Sequence, residues 1–128
     1  MSENRATWIG VPEMYRLNAA SRTVRAAVDG VGLMLVGSSL TRQDYRDVDL
    51  RMILFDEDFA ARFPNTGWLM LANAAMSDWL ATTTGLPIDF QFQSMAEANS
   101  PEHDGKGRHP LGLPMRFDPE AGFAHGND

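Results

Sequence analysis

The sequence predicts a small α/β (α+β) domain, in which a mixed sheet of about three strands is flanked by helices. Three observations lead to this prediction. Small and apolar residues recur at three- and four-residue spacing after Pro12, as they do along one face of a helix. Short apolar or alternating runs at 31–36, 47–54 and 88–93 are typical of strands. The resulting order is helix, strand, strand, short helix, helix, strand, which favours helices packed on a small sheet.

The first helix is predicted over residues 12–29. Pro12 suits a first helical position because the N–H that it lacks is not needed there. Gly30 is able to take the left-handed conformation that ends many helices. Residues 38–46 are polar and predict a turn or a short helix. The strand 47–54 alternates, so that its aspartates share one face of the sheet.

The second half of the predicted core contains two helices and the third strand. A short helix begins with three acidic residues and ends before Pro64. Asn65 or Thr66 is able to cap a longer helix, and Gly85 ends that helix. Its apolar stripe consists of Leu69, Ala72, Met76 and Leu80. The strand 88–93 then places Asp89 on the face opposite its apolar residues.

The chain divides by composition into a core, residues 1–96, and a glycine- and proline-rich segment, residues 97–128. We expect the second segment to be irregular. It contains a basic patch in the sequence GKGRHPLG, formed by Lys106, Arg108 and His109. This patch either folds over a site to touch substrate or forms a solvated loop, and a solvated loop is favoured.

Composition excludes several classes of protein. The 128 residues include no cysteine, so disulfides, thiolate metal sites and cysteine nucleophiles are excluded. A net charge of −6 and a pI near 4.9 have the wrong sign for a protein that binds nucleic acid mainly through phosphates. Apolar runs are too short for a membrane span, and no signal peptide is evident. We therefore expect a cytoplasmic protein without a membrane partner.

Three carboxylates and a glycine-serine turn carry the predicted chemistry. Asp47, Asp49 and Asp89 lie at or near the beginnings of strands. Clustered carboxylates repel each other unless a cation holds them, and oxygen ligands suit Mg²⁺ or Mn²⁺. Gly37 allows a phosphate to approach the backbone, and Ser38 offers a hydroxyl to it. The sequence therefore predicts a site for metal ions and phosphate.

These motifs resemble those of the nucleotidyltransferase superfamily of the DNA polymerase beta type. That family has an apolar strand ending in Gly-Ser, about ten further residues, an acidic-x-acidic motif on the next strand, and a third carboxylate on a later strand. Residues 36–38 (VGS), 47–50 (DVDL) and 88–90 (IDF) match in order and in setting. The resemblance covers roughly residues 12–93, and the gap of eight residues between Ser38 and Asp47 is slightly short for the family.

The resemblance implies a metal-dependent nucleotidyltransferase that moves a nucleoside monophosphate from an NTP to an acceptor hydroxyl. Asp47 and Asp49 would bind two divalent ions, and Asp89 would bind one of them and help deprotonate the acceptor. Contacts to the nucleotide would come from Gly37, Ser38, Ser39 and Arg51. The acceptor remains open, although a small molecule or a protein is favoured over nucleic acid because of the net charge.

Other interpretations remain beside this one. The main alternative is an inactive protein of the same fold that binds a nucleotide, a protein partner or a second copy of itself. Arg42, Arg46 and Arg51 either contact phosphate or pair with neighbouring aspartates. A Ser-His-Asp hydrolase lacks the required nucleophile turn, and the histidines lack metal-ligand spacing. Trp68 and Trp79 are expected in the core.

Overall fold

The structure, a computed structural model, describes residues 7–103 and 106–113. Its helices are α1 Val11–Ala27, α2 Asp56–Arg62, α3 Thr66–Thr84 and α4 Met95–Ala98, with a single 3₁₀ turn at Ser38–Leu40. Its strands are β1 Gly32–Val36, β2 Val48–Leu54, β3 Ile88–Ser94 and β4 His109–Leu111. The predicted small mixed sheet flanked by helices is therefore confirmed, with one strand more than expected.

The sheet has the strand order β3-β2-β1-β4 and combines both strand directions. β1 runs antiparallel to β2 and to β4, whereas β2 and β3 are parallel. In this register Val36 lies opposite Asp49, and Asp49 lies beside Asp89. Directly paired residues project from the same face of a sheet, so the end of β1 and the starts of β2 and β3 share one surface.

The two faces of the sheet differ in burial. One face packs against α1 and α3 and supplies most of the buried apolar side chains, among them Leu33, Leu35, Leu50, Met52 and Phe90. The other face carries the half-buried Asp49, Arg51 and Asp89. On that face Ile53 and Gln93 are buried, and α4 contacts both β2 and β3. The acidic face is therefore partly open to ligands.

The helix ends are only partly as predicted. Asn65 caps α3, since its Oδ1 accepts a hydrogen bond of 2.8 Å from the backbone N–H of Trp68, and Gly85 ends α3 in the left-handed region at φ 77°. The predicted end of α1 at residue 29 is wrong. Val28 is already extended, and Gly30 does not have a positive φ. A Cβ at Gly30 would instead lie 2.9 Å from the carbonyl oxygen of Ile53, so close packing explains the glycine.

Side chains of α3 cover the exposed edge of β3. The backbone N–H groups of Phe90 and Phe92 donate to Ser77 Oγ and Asn73 Oδ1, both at 2.9 Å. An uncovered edge strand would offer these groups to another chain. This edge of the sheet is therefore closed by the protein itself.

The expectation of an irregular segment from residue 97 onward is wrong for part of that segment. α4 extends to Ala98, and His109–Leu111 forms β4 against β1. Leu111 is fully buried opposite Leu33, and Pro110 is tolerated because β4 is an edge strand. Pairing with a distant strand is not visible in local composition, which explains the error. Residues 114–128 lie outside the described part of the chain.

Helix α3 has an exposed apolar surface that the sequence does not predict. Trp68 is 51% exposed and Trp79 is 41% exposed, so their expected place in the core is wrong. The predicted stripe of α3 does face the core, but apolar side chains continue around the helix. Among the described helices, none combines the length and the apolar character needed to cross a membrane.

Candidate functional site

The turn after β1 places a glycine against a carboxylate. Gly37 has φ 82° and ψ −158°, a region that only glycine occupies readily. A Cβ at this position would overlap Asp49 Oδ2 and lie 3.0 Å from Asp49 Cγ. The absence of a side chain at Gly37 is therefore what lets the turn and the carboxylate lie together.

Asp49 and Asp89 form a pair of carboxylates across two parallel strands. They are register partners, and Asp89 is close enough to act on the pKa of Asp49. Burial raises the pKa of Asp49 above its ordinary value of 3.8, the charge of Arg51 opposes the rise, and the charges of Asp89 and Asp47 add to it. The predicted convergence of Asp49 and Asp89 on one face is therefore present.

Asp47 lies close to this pair without completing a cluster. It precedes β2 by one residue and is exposed to solvent, although its charge contributes to the raised pKa of Asp49. Within residues 7–103 and 106–113, no three acidic or histidine side chains are grouped closely enough to hold a metal ion. The structure thus brings together two of the three predicted carboxylates and leaves the third beside them.

Asp49 and Asp89 are of the ligand type that divalent cations prefer. Two partly buried carboxylates that repel each other supply oxygen ligands of the kind that Mg²⁺ and Mn²⁺ prefer. The carboxylate of Asp49 occupies the space that a side chain at residue 37 would take. Asp49 and Asp89 would hold the ion, and Asp47 is near enough for its charge to act on Asp49.

Arg51 lies beside the carboxylates and bridges β2 and β3. Its Nη1 donates to the carbonyl oxygens of Leu50 at 2.8 Å and of Asp89 at 3.0 Å. Its Nη2 lies 3.9 Å from Asp89 Oδ2, so the two side chains form an ion pair. These bonds hold the guanidinium group at the site, where it also lines the neighbouring cavity.

A cavity of about 530 Å³ opens on this face of the sheet. One end is formed by Gly37, Ser38 and Asp49, and the other by Ile53, Gln93 and Ala98. Its walls also include three cationic side chains and one histidine, namely Arg51, Lys106, Arg108 and His103. The volume is within the range of small-molecule sites, and the cationic walls suit an anion although the whole chain is acidic.

Part of the basic patch borders the cavity while remaining exposed to solvent, so the favoured expectation of a solvated loop is not contradicted. Lys106 and Arg108 line it, and Arg108 Nη2 donates to Ala98 O at 2.8 Å and to Asn99 Oδ1 at 2.7 Å. These bonds fasten the segment to α4, which explains its position. His109 differs, because it lies in β4 opposite Leu35 and so projects from the core face.

Ser38, Ser39 and Arg42 differ in whether they reach the cavity. Ser38 lines the cavity, but Ser39 is fully buried and does not. The carbonyl oxygen of Ser39 accepts hydrogen bonds from Thr7 Oγ1 at 2.9 Å and from Trp8 N at 2.7 Å. Arg42 pairs with the exposed Asp44 through two bonds of 3.0 Å, so the surface pairing applies to this arginine.

Several cavity residues are not identified by the sequence motifs. They are Leu40, Thr41, Ile53, Gln93, Ala98 and His103. Gln93 shares its strand face with Asp89 because the two are four residues apart, and this parity is a signal that was available. The contributions of α4 and of His103 depend on tertiary packing and have no local signal.

Comparison with known proteins finds no match for this chain among family models, curated proteins or solved structures. The resemblance to nucleotidyltransferases therefore depends on the motif residues and on their geometry.

Proposed function

We propose that this protein is a metal-dependent nucleotidyltransferase, which moves a nucleoside monophosphate from an NTP to an acceptor hydroxyl and releases pyrophosphate. The observation that supports this most strongly is the register of Gly37, Asp49 and Asp89 on one open sheet face. This is the arrangement that the resemblance implies for its three motifs. The cationic cavity beside it gives room for a nucleotide.

Each residue has a role in this proposal. Asp49 and Asp89 would hold Mg²⁺ or Mn²⁺, with Asp47 as the adjacent third carboxylate. Such an ion would supply charge stabilisation to the phosphoryl group during transfer. Asp89 also accepts the proton of the acceptor hydroxyl as the new P–O bond forms and the bond to pyrophosphate breaks.

The chain also supplies phosphate contacts. The backbone N–H groups after Gly37 and the hydroxyl of Ser38 donate to the outer phosphate oxygens. Arg51 and Lys106 balance the negative charge of those phosphates from the cavity wall. Ser39 supports the turn from its buried position rather than contacting the nucleotide directly.

The partners are an NTP and an acceptor of small-molecule or protein class. The whole chain is acidic, with a net charge of −6, which disfavours a polyanionic acceptor such as nucleic acid. A protein partner or a second copy of the chain is compatible with the exposed apolar surface of α3, which includes Trp68, Met70, Leu71 and Trp79.

A second candidate function is nucleotide or partner binding without transfer. Two observations favour it. Asp47 is exposed outside the pair formed by Asp49 and Asp89, and Arg51 already provides a cation 3.9 Å from Asp89. A protein of this kind would use the same cavity but would lack the complete set of metal ligands.

Calorimetric titration with Mn²⁺ and ATP tests the site. Wild type should bind both, Asp49→Asn should lose at least about ten-fold in affinity for each, and the control Asp78→Asn should bind like wild type. Asp78 is a suitable control because it is exposed on α3, outside the cavity. Equal binding heats for wild type and Asp49→Asn would contradict the metal site.

Labelled ATP separates the two candidate functions. With cell extract as the acceptor source, label in the α-phosphate should move to an acceptor and label in the γ-phosphate should leave as pyrophosphate. If the protein binds ATP and Mn²⁺ but the α-phosphate label reaches no acceptor and no labelled pyrophosphate is released, the binding function is favoured and the catalytic function is contradicted.

A further inference from the structure

One polar side chain in the cavity has no part in the proposed chemistry. Gln93 lies on β3, only 6% of its surface is exposed, and it lines the end of the cavity away from the glycine turn. Its register partner on β2 is Ile53, which is also buried and also lines the cavity. Gln93 is therefore an amide group held on a largely apolar floor.

The amide of Gln93 has no protein partner. Within residues 7–103 and 106–113, no hydrogen bond is formed to the side-chain amide of Gln93. In the same residues, two side-chain atoms are both fully enclosed and without a hydrogen-bond partner, namely Ser21 Oγ and Ser39 Oγ. The polar atoms of Gln93 are not among these enclosed atoms, so they are accessible from the cavity. Buried polar groups are nearly always paired, and an accessible unpaired amide in a cavity points to a ligand.

The position of Gln93 relative to the carboxylates indicates which part of a ligand it meets. It lies four residues beyond Asp89 on the same strand face, a separation of about 13 Å along an extended strand. That span is comparable to the length of a nucleoside triphosphate and much longer than a phosphate group. A nucleotide with its phosphates at Gly37 and Asp49 therefore reaches Gln93 with its base.

The surroundings of Gln93 suit a planar base. Ile53 and Ala98, both apolar, lie at the same end of the cavity. Apolar walls with a few placed polar groups are typical of sites for small organic ligands. A glutamine offers one donor and one acceptor side by side, and it makes this paired contact most readily with the N6 and N7 atoms of adenine.

We propose that Gln93 recognises the base of the nucleotide and that ATP is the nucleotide it favours. This inference rests on the proposed function, because it extends the same site from the phosphates to the base. Gln93 acts in binding and specificity, whereas Asp49 at the other end of the cavity, with Asp89 beside it on β3, acts on the phosphates.

The test compares ATP with inorganic tripolyphosphate, which carries the phosphates without a base. Calorimetry with Mn²⁺ is performed on wild type, Gln93→Leu and Gln91→Leu. Gln91 is a matched control, since it shares the strand and the face of Gln93 but does not line the cavity. Gln93→Leu should bind ATP about 10-fold to 100-fold more weakly and tripolyphosphate as wild type does. Gln91→Leu should bind both ligands normally.

The outcomes separate this inference from the proposed function. Equal ATP affinity for Gln93→Leu and wild type overturns the role of Gln93 and leaves the proposed function standing. Equal losses for ATP and tripolyphosphate also overturn it, because Gln93 would then only support the fold. Binding of neither ligand by wild type overturns both proposals. Selective loss of ATP binding without any transfer activity supports Gln93 and removes only the catalytic step. If Gln93→Leu does not fold, Gln93→Asn, which shortens the same amide, takes its place.

Discussion

Gly37 and Asp49 are packed so closely that any side chain at residue 37 would overlap the carboxylate of Asp49. The contact joins the end of β1 to the start of β2, because Val36 and Asp49 are paired in the sheet. Gly37 also has a backbone conformation that other residues adopt only at a cost. One glycine therefore determines both the path of the turn and the position of the Asp49 carboxylate.

Replacing Gly37 with alanine should damage the site as well as the fold. The backbone strain should cost about 1–3 kcal/mol of stability. The new methyl group should also displace the carboxylate of Asp49, so Mn²⁺ and ATP should bind at least about ten-fold more weakly. Chemical denaturation measures the first effect and calorimetry the second.

Gly85→Ala is the matched control for this change. Gly85 also has a positive φ, of 77°, but a Cβ there would meet nothing within 4 Å. This variant should lose stability through backbone strain alone and bind Mn²⁺ and ATP like wild type. If Gly37→Ala retained wild-type binding at the same loss of stability, the contact with Asp49 would not matter for the site.

Neutralising Asp49 should stabilise the protein in the absence of metal. The pKa of Asp49 is raised in the folded protein, chiefly by burial. The stability that protonated Asp49 provides is therefore fully present below its ordinary value of 3.8 and is lost as the pH rises through the folded value. At pH 7 with EDTA, Asp49→Asn should unfold at a higher temperature than wild type, and the difference should vanish below pH 3.8.

With Mn²⁺ present, wild type should instead unfold at a higher temperature than Asp49→Asn. A ligand at a hundred times its dissociation constant stabilises the folded state by about 2.7 kcal/mol, and only wild type has the intact site. Thermal unfolding with and without Mn²⁺ measures both effects on the same two proteins. A variant that is less stable than wild type in EDTA at pH 7 would show that Asp49 is needed for the fold rather than strained within it.

The sequence predicts the carboxylates of this site but not the position of its basic side chains. Asp49 and Asp89 could be placed on one face because strand alternation fixes side-chain direction once two strands are neighbours. The lysine and arginine of the basic patch could not be placed, because their position depends on bonds from Arg108 to Ala98 and Asn99. Strand alternation therefore predicts the aspartates, and it also offers a signal for Gln93, whereas the position of the basic patch depends on tertiary contacts.

The same distinction between local and tertiary determinants applies to the fold. The ends of α3 were predicted because Asn65 and Gly85 act within one helical turn. The end of α1 was not predicted correctly, because Gly30 is required for close packing against the backbone of Ile53 on β2 and not for a left-handed helix end. The exposed tryptophans of α3 show the same limit, since a helix that is apolar on most sides does not reveal which side faces the core.

Removing the side chains that cover β3 should destabilise the fold without affecting the site. Ser77→Ala and Asn73→Ala would each leave a backbone N–H of β3 without its partner, at a cost of about 1–3 kcal/mol. Denaturation with urea measures the loss, and Thr83→Ala, at an exposed position of the same helix, is the control. Unchanged stability in both variants would mean that water replaces these bonds at the edge of the sheet.

The fourth strand should contribute to stability through a single buried leucine. Leu111 of β4 is fully buried opposite Leu33, whereas Leu113, two residues later, is 48% exposed. Leu111→Ala should therefore cost roughly 2–5 kcal/mol, the usual range for truncating a buried leucine, and Leu113→Ala should cost much less. The two variants remove the same atoms from neighbouring positions, so denaturation curves compare burial directly. Equal small losses would mean that β4 is not held against β1 in solution, and a large loss for Leu111 alone would establish that this strand belongs to the core.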